Sequence, residues 1–183
     1  MNNSTSPSAT EQHDLSSLSV EQLTDHLGSV LTQKNLRLTT AESCTGGQIA
    51  TTLCAAKDTP DFYGCGFVTF TDEAKMTLLH VNPRTLSEHT AVSQQTVEEM
   101  AQGAREVSGE PLSVAVSGYA GPDDGPDGTP AGFVWFAWSV LDRPVISESR
   151  QFRGEPKEVI NQAVHFALAR VLHFLEEETE ASE

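Results

Sequence analysis

The chain has 183 residues, 38% of them hydrophobic, which suits one domain with its own buried core and leaves little for a second. It carries 11 Lys and Arg against 26 Asp and Glu, a formal net charge of −15 without a basic cluster, which sets it against phosphate backbones and anionic membrane surfaces. No apolar run is long enough to cross a bilayer, the amino terminus lacks the charged start and apolar core of a secretory signal, and Cys44, Cys54 and Cys65 are odd in number without C-x-x-C spacing. A single domain in the reducing cytoplasm is therefore expected, without a disulfide framework or a zinc ribbon.

Residues 1–18 are polar and Ser/Thr-rich and are expected to be disordered, outside a domain spanning 19–176. Ser19 and Gln22 have capping-box spacing, and Val20, Leu23, Leu27, Val30 and Leu31 share one helical face, predicting a helix that ends near Lys34-Asn35. Leu36 to Thr40 reads as a strand, Ile49 to Ala55 as a short helix, and "GFVTF" (66–70) as a buried strand. Thr71 caps a predicted helix through about His80, and Ser93 precedes another with Val97, Met100, Ala101, Ala104 and Val107 on one face. "LSVAVSG" (112–118) follows as a strand. The loop "YAGPDDGPDGTPAG" (119–132) is then too rich in Gly, Pro and Asp for regular structure.

"FVWFAWSV" and "VISESRQF" form a predicted antiparallel hairpin around Leu141–Pro144. Trp135, Phe136 and Trp138 alternate within it as strand residues of the core or of a subunit interface do. Pro156 opens a last helix lined by Val159, Ile160, Ala163, Ala167, Val171, Phe174 and Leu175, and residues 177–183 are expected to fray as an acidic tail. Helices alternating with early strands, followed by a hairpin, predict an α/β fold: a layered α/β/α domain with a mixed sheet.

The chemistry concentrates in "TTAESCTGGQIA" (39–50), where a strand turns through two glycines into a helix. Such a turn presents unpaired N–H groups and a positive helix end to a phosphate or a developing oxyanion, and Ser43, Cys44 and Thr45 place three nucleophiles there. The alternative is a helix start whose glycines serve tight packing. The stretch is neither a Walker loop, nor G-x-G-x-x-G, nor a G-x-S-x-G elbow.

With "GFVTFTDEAK", "HTAVSQQTVEEMAQGA", "VAVSGYAGPDDGPDGTPAGFVWFA" and "QFRGEPKEV" in order behind it, the segment resembles the CinA C-terminal domain family, the nicotinamide-nucleotide amidases of the PncC type. The likeness runs from about Ser19 to Leu175. It implies an α/β fold, hydrolysis of the amide of nicotinamide mononucleotide to nicotinate mononucleotide and ammonia, no cofactor or metal, and self-association as a homo-oligomer. It further implies Ser43 as nucleophile and Lys75 as its activating base. Backbone N–H groups around Thr45, Gly46 and Gly47 are expected to hold the oxyanion or a phosphate, together with Ser117, Gly118 and Gly121 of the "SGYAG" segment.

Departures from the family pattern cluster at the site. Phe70 stands where the family usually has a tyrosine in "VTYSNEAK", and Tyr63 or Thr71 are the hydroxyls that would have to replace it. Asp123-Asp124 replace glycines, Thr129 replaces a basic residue, Glu155-Pro156 stand where relatives carry Asp-Arg and Asn161 where they carry a further arginine, leaving Arg153 and Lys157 as partial compensation. These changes keep open a second reading, a catalytically silent or substrate-altered paralogue that binds a nucleotide-like ligand. Glu42 is expected to orient the turn or Lys75, or to stabilise the helix start. A thiolate at Cys44 would make a cysteine hydrolase, but none of the six histidines lies near it in sequence. DNA uptake, suggested by the family's competence name, conflicts with the negative charge.

Overall fold

The computed structural model describes residues 15–180. The capping box starts the first helix, α1 (Val20–Gln33): the Gln22 N–H donates to Ser19 Oγ at 3.1 Å and the Ser19 N–H to Gln22 Oε1 at 3.0 Å. Leu23, Leu27 and Leu31 then point inward and are fully buried. The chain continues through β1 (Leu38–Glu42), α2 (Gln48–Cys54), β2 (Tyr63–Val68), α3 (Asp72–Leu79), α4 (Pro83–His89), α5 (Gln94–Ser108), β3 (Leu112–Gly118), β4 (Phe133–Val140), β5 (Ile146–Gln151) and α6 (Pro156–Glu180).

The five strands form one mixed sheet in the order β2-β1-β3-β4-β5, parallel across the first three and antiparallel across the last two. From β1 the chain moves out to β2 and then returns to the other side of β1 for β3. α/β sheets receive ligands in the crevice at such a reversal, which here falls beyond the carboxyl ends of β1 and β3.

Helices cover both faces. On one, α1, α2 and α6 bury Leu38, Val114, Val116, Phe136 and Trp138, and the Trp138 indole N–H donates to the Ala167 carbonyl at 3.1 Å. On the other, Ala41, Ala115 and Ala137 lie side by side across three strands in register. This row of methyl groups lets α5 settle close to the sheet, with Val97, Met100, Ala101 and Ala104 inward and the Ser113 hydroxyl donating to the Ala101 carbonyl at 2.5 Å. Gly103 on the same helix has no room for a side chain, because a Cβ there would meet the Leu79 carbonyl oxygen.

Several predicted boundaries move, for identifiable reasons. β1 starts at Leu38 rather than Leu36: Asn35 adopts φ 52° and the Leu36 N–H bonds back to Leu31 O at 2.9 Å, so these residues close α1. β2 ends at Val68 rather than Phe70 and is an edge strand, not a fully buried one, which leaves Val68 50% and Phe70 72% exposed. α4 was not anticipated, although Pro83 at its first position and the Asn82 cap signal it. Val107 lies off the buried face of α5.

At the ends, Leu15–Ser17 form a 3-10 turn, and Leu15 and Leu18 pack against the core, so packing begins before Ser19. The rest of the expected amino-terminal segment lies outside the described residues. α6 runs into the expected acidic tail, with His173 and Glu177 pairing one turn apart at 3.2 Å.

Candidate active site

Glu42 is the last residue of β1 and is fully buried facing α2. Its Oε2 accepts from the Thr45 hydroxyl at 2.7 Å and from the N–H groups of Gly47 and Ile49 at 3.1 and 2.9 Å, and its Oε1 from the Ala50 N–H at 2.8 Å. One carboxylate thus caps α2 and folds the turn before it, charge-assisted at the positive helix end. Gly46 and Gly47 adopt φ 56° and 93°, the left-handed pair that aims these donors at Glu42. The Glu42→Gln amide must donate where the carboxylate accepts. We therefore expect it to cost about 2–4 kcal/mol, read as a lowered midpoint in denaturant melts.

That arrangement corrects the expected oxyanion donors. The Gly47 N–H is spent on Glu42 and the Gly46 N–H on Ser43 O at 3.0 Å. The N–H groups of Cys44 and Thr45 make no backbone–backbone hydrogen bond in the turn among the described residues and lie against the Cys44 sulfur, while the Thr45 hydroxyl serves Glu42.

Ser43 is fixed by its N–H to Val116 O at 3.0 Å and is only 7% exposed. Lys75, on α3, is fully buried and reaches it: Nζ lies 3.1 Å from Ser43 Oγ, 2.9 Å from Thr69 O and 3.3 Å from Phe70 O. Burial holds the Lys75 amine below its ordinary pKa, against smaller opposing effects of Asp72 and Cys44. Two of its three neighbours are carbonyls that can only accept. A neutral amine satisfies both with its two N–H bonds and turns its lone pair to the Ser43 hydroxyl, the geometry of a base poised to take that proton. Thr69 is also fully buried, and its hydroxyl has no partner among the described residues.

The remaining expected residues serve the scaffold. Ser117 donates its hydroxyl to Ala91 O at 2.7 Å. A Cβ at Gly118 would stand 2.6 Å from Phe133 O, so that glycine permits the approach of β4. Gly121, at φ 100°, packs near Ala131 and Pro156. Tyr63 lies at the far end of β2, bonded to Thr40 Oγ1 at 3.0 Å, so it cannot replace the missing tyrosine at position 70. Thr71 is not a substitute either, since its hydroxyl accepts the Ala74 N–H at 3.1 Å as the cap of α3. Arg153 is exposed on the β5–α6 loop, at the same end of the sheet as Ser43.

Cys44 is half-buried beside Ser43. Burial pushes its thiol up to about 12, so it stays protonated at neutral pH despite its place next to Ser43. Cys44→Ala is expected to keep turnover within about threefold of wild type, measured as product release at saturating substrate.

Sequence reasoning passed over Tyr119, the first residue after β3. Its hydroxyl lies 3.5 Å from Asp127 Oδ2 and its ring occupies the space above Gly125. The signal available was its position, since the crevice is flanked by whatever follows β1 and β3.

This fold is that of CinA-superfamily proteins. A solved structure from Escherichia coli superimposes with a TM-score of 0.83 at 50% identity, covering 85% of this chain and 90% of that one. One from Klebsiella pneumoniae, titled a competence damage-inducible protein, gives 0.85 at 45% identity over 87% and 98%. The chain belongs to the CinA C-terminal domain family, which matches residues 20–175. Among curated relatives, Protein YdeJ of Escherichia coli is 51% identical over 85% of this chain and 90% of its own length. A nicotinamide-nucleotide amidohydrolase PncC of Enterobacter agglomerans is 39% identical over 84% and 93%. No helix among the described residues is long and apolar enough to cross a membrane.

Proposed function

We propose that the protein is an amidase that hydrolyses the carboxamide of a nicotinamide nucleotide to the carboxylate and ammonia. The observation that carries this reading is the buried Lys75 Nζ 3.1 Å from Ser43 Oγ, with the carbonyls of Thr69 and Phe70, which only accept, as its other two neighbours. Ser43 Oγ attacks the amide carbon as its proton passes to Lys75, and the carbonyl oxygen gathers charge beside the turn that follows Ser43. Collapse of the adduct returns that proton to the departing nitrogen, releasing ammonia and leaving an ester on Ser43. Water, deprotonated by Lys75, then opens the ester to the free carboxylate and restores the serine. The relatives named as nicotinamide-nucleotide amidohydrolases support the substrate class.

Ammonia release from nicotinamide mononucleotide by the purified protein tests the proposal, and absence of release at high enzyme concentration sinks it. A second reading, a paralogue that binds a nucleotide-like ligand without turnover, is favoured by Phe70, whose side chain offers no hydroxyl and is 72% exposed. It predicts a silent wild type with ligand binding intact, and the appearance of turnover in Phe70→Tyr.

A further inference from the structure

Among the described residues, one buried side-chain oxygen has no hydrogen-bond partner, the hydroxyl of Thr69. Each of the other buried threonines spends its hydroxyl within the protein, as Thr39 does on Cys65 O at 2.8 Å, Thr45 on Glu42 Oε2 at 2.7 Å and Thr96 on Thr90 O at 2.7 Å. A valine has the same shape and would fill a fully buried position without the cost of desolvating a hydroxyl. A hydroxyl kept there is kept for a polar partner other than these residues.

The fold turns that oxygen towards the reacting groups. The Thr69 N–H donates to Glu42 O at 2.8 Å, so the chain still runs alongside β1 one residue past Val68. Phe67 packs with Ala41 and Leu79, and Thr69, two residues further along the extended chain, turns to the same face of the sheet. From that face α3 delivers Lys75, whose Nζ lies 2.9 Å from Thr69 O and 3.1 Å from Ser43 Oγ. Covalent geometry keeps a threonine Oγ1 within about 4.5 Å of the carbonyl oxygen of its own residue. No direct bond joins Thr69 Oγ1 to Nζ. A single water, reaching about 2.8 Å to either side, is small enough to serve both groups in so closed a place.

We infer that Thr69 is a positioning residue for the water that completes the proposed reaction, held between the Thr69 hydroxyl and Lys75 Nζ and facing the ester on Ser43. This rests on the amidase reading and deepens it. The water oxygen attacks the acyl carbon as one of its protons passes to the neutral amine, while Thr69 Oγ1 accepts the O–H that is not transferred. The adduct collapses by breaking the bond to Ser43 Oγ, which takes the proton back from Lys75, and the acid released ionises to the carboxylate. The earlier attack of Ser43 on the amide uses no water, so Thr69 acts on the second half of the reaction alone.

The test compares wild type with Thr69→Val, which removes the hydroxyl at constant shape, and with Thr69→Ser, which keeps it. On mixing with nicotinamide mononucleotide, the valine variant is expected to release one ammonia per active site rapidly and then to turn over on the order of 10²-fold more slowly than wild type. The ester on Ser43 should accumulate in its intact mass. The serine variant is expected to stay within about fivefold of wild type. A merely structural role would slow both halves together and give no burst. Valine turnover within about threefold of wild type, slow turnover without the burst and the ester, or a serine variant as slow as valine each overturns the inference while leaving the amidase standing.

Should wild type release no ammonia, the amidase reading fails and the water site is judged by itself, in a crystal structure of the wild-type protein fine enough to show ordered water. The same structure decides if the valine variant does not fold. A water within about 3.2 Å of both Thr69 Oγ1 and Lys75 Nζ supports the site. A site without that water, or an Oγ1 bonded to a protein group, overturns it.

Discussion

Ser43→Ala is expected to bring ammonia release down to the background rate, a loss on the order of 10⁴-fold or more, with the protein still folded. The variant removes the atom assigned the attack in the proposed mechanism and changes little else. The Ser43 N–H still donates to Val116 O, and the turn is held by Glu42 rather than by the serine hydroxyl. A melt within about 1 kcal/mol of wild type would show that the scaffold survived. The raised pKa of the neighbouring Cys44 thiol disfavours it as a replacement nucleophile. Residual turnover at more than a few per cent of wild type would remove Ser43 from the nucleophile's role.

Lys75→Met is expected to cost turnover by at least about 10³-fold and to change the pH dependence in a defined direction. In the proposed mechanism the active form is the neutral amine, so the rate should rise with pH as the buried Lys75 loses its proton, at a pH below its ordinary 10.5. Methionine abolishes that limb. The same shift bears on stability. Between the lowered folded value and the ordinary unfolded one, the unfolded chain binds a proton that the folded chain does not, so wild-type stability rises with pH through that window and falls as pH drops through it. The wild-type-minus-variant difference in denaturation free energy, measured across a pH series, should carry that slope. A difference independent of pH, or a pH–rate profile unchanged by the substitution, would show that Lys75 does not work as a neutral amine.

Where the sequence was easiest to read, the determinants were local. The Ser19, Thr71 and Ser93 caps and the β4–β5 hairpin depend on residues a few positions apart, and each was found where it was expected. The pairing of Ser43 with Lys75 spans 32 positions, and periodicity could not bring them together; the family resemblance did. The glycine turn shows the opposite failure. Its composition announced open N–H groups, but the buried carboxylate of Glu42 consumes the glycine donor at 47, and only the folded turn reveals which donors remain. Tyr63 misled because proximity in sequence, along an extended strand, means distance in space: β2 carries it to the opposite end of the sheet from Val68. The edge position of β2 was hidden for a related reason, since a run such as "GFVTF" reads alike whether one neighbour flanks it or two.

The row formed by Ala41, Ala115 and Ala137 also limits how this protein can change over evolutionary time. One added methyl group anywhere along it would lift α5, and the start of α5 follows the Ala91 carbonyl that holds Ser117. Substitutions in that layer would therefore be felt at the crevice without touching it. The exposed positions Asp123, Asp124 and Asp127 of the loop and those around Phe70 are under no such volume constraint. Descendants of this chain would acquire new substrates by rewriting those surface segments, while the alanine layer is inherited almost unaltered.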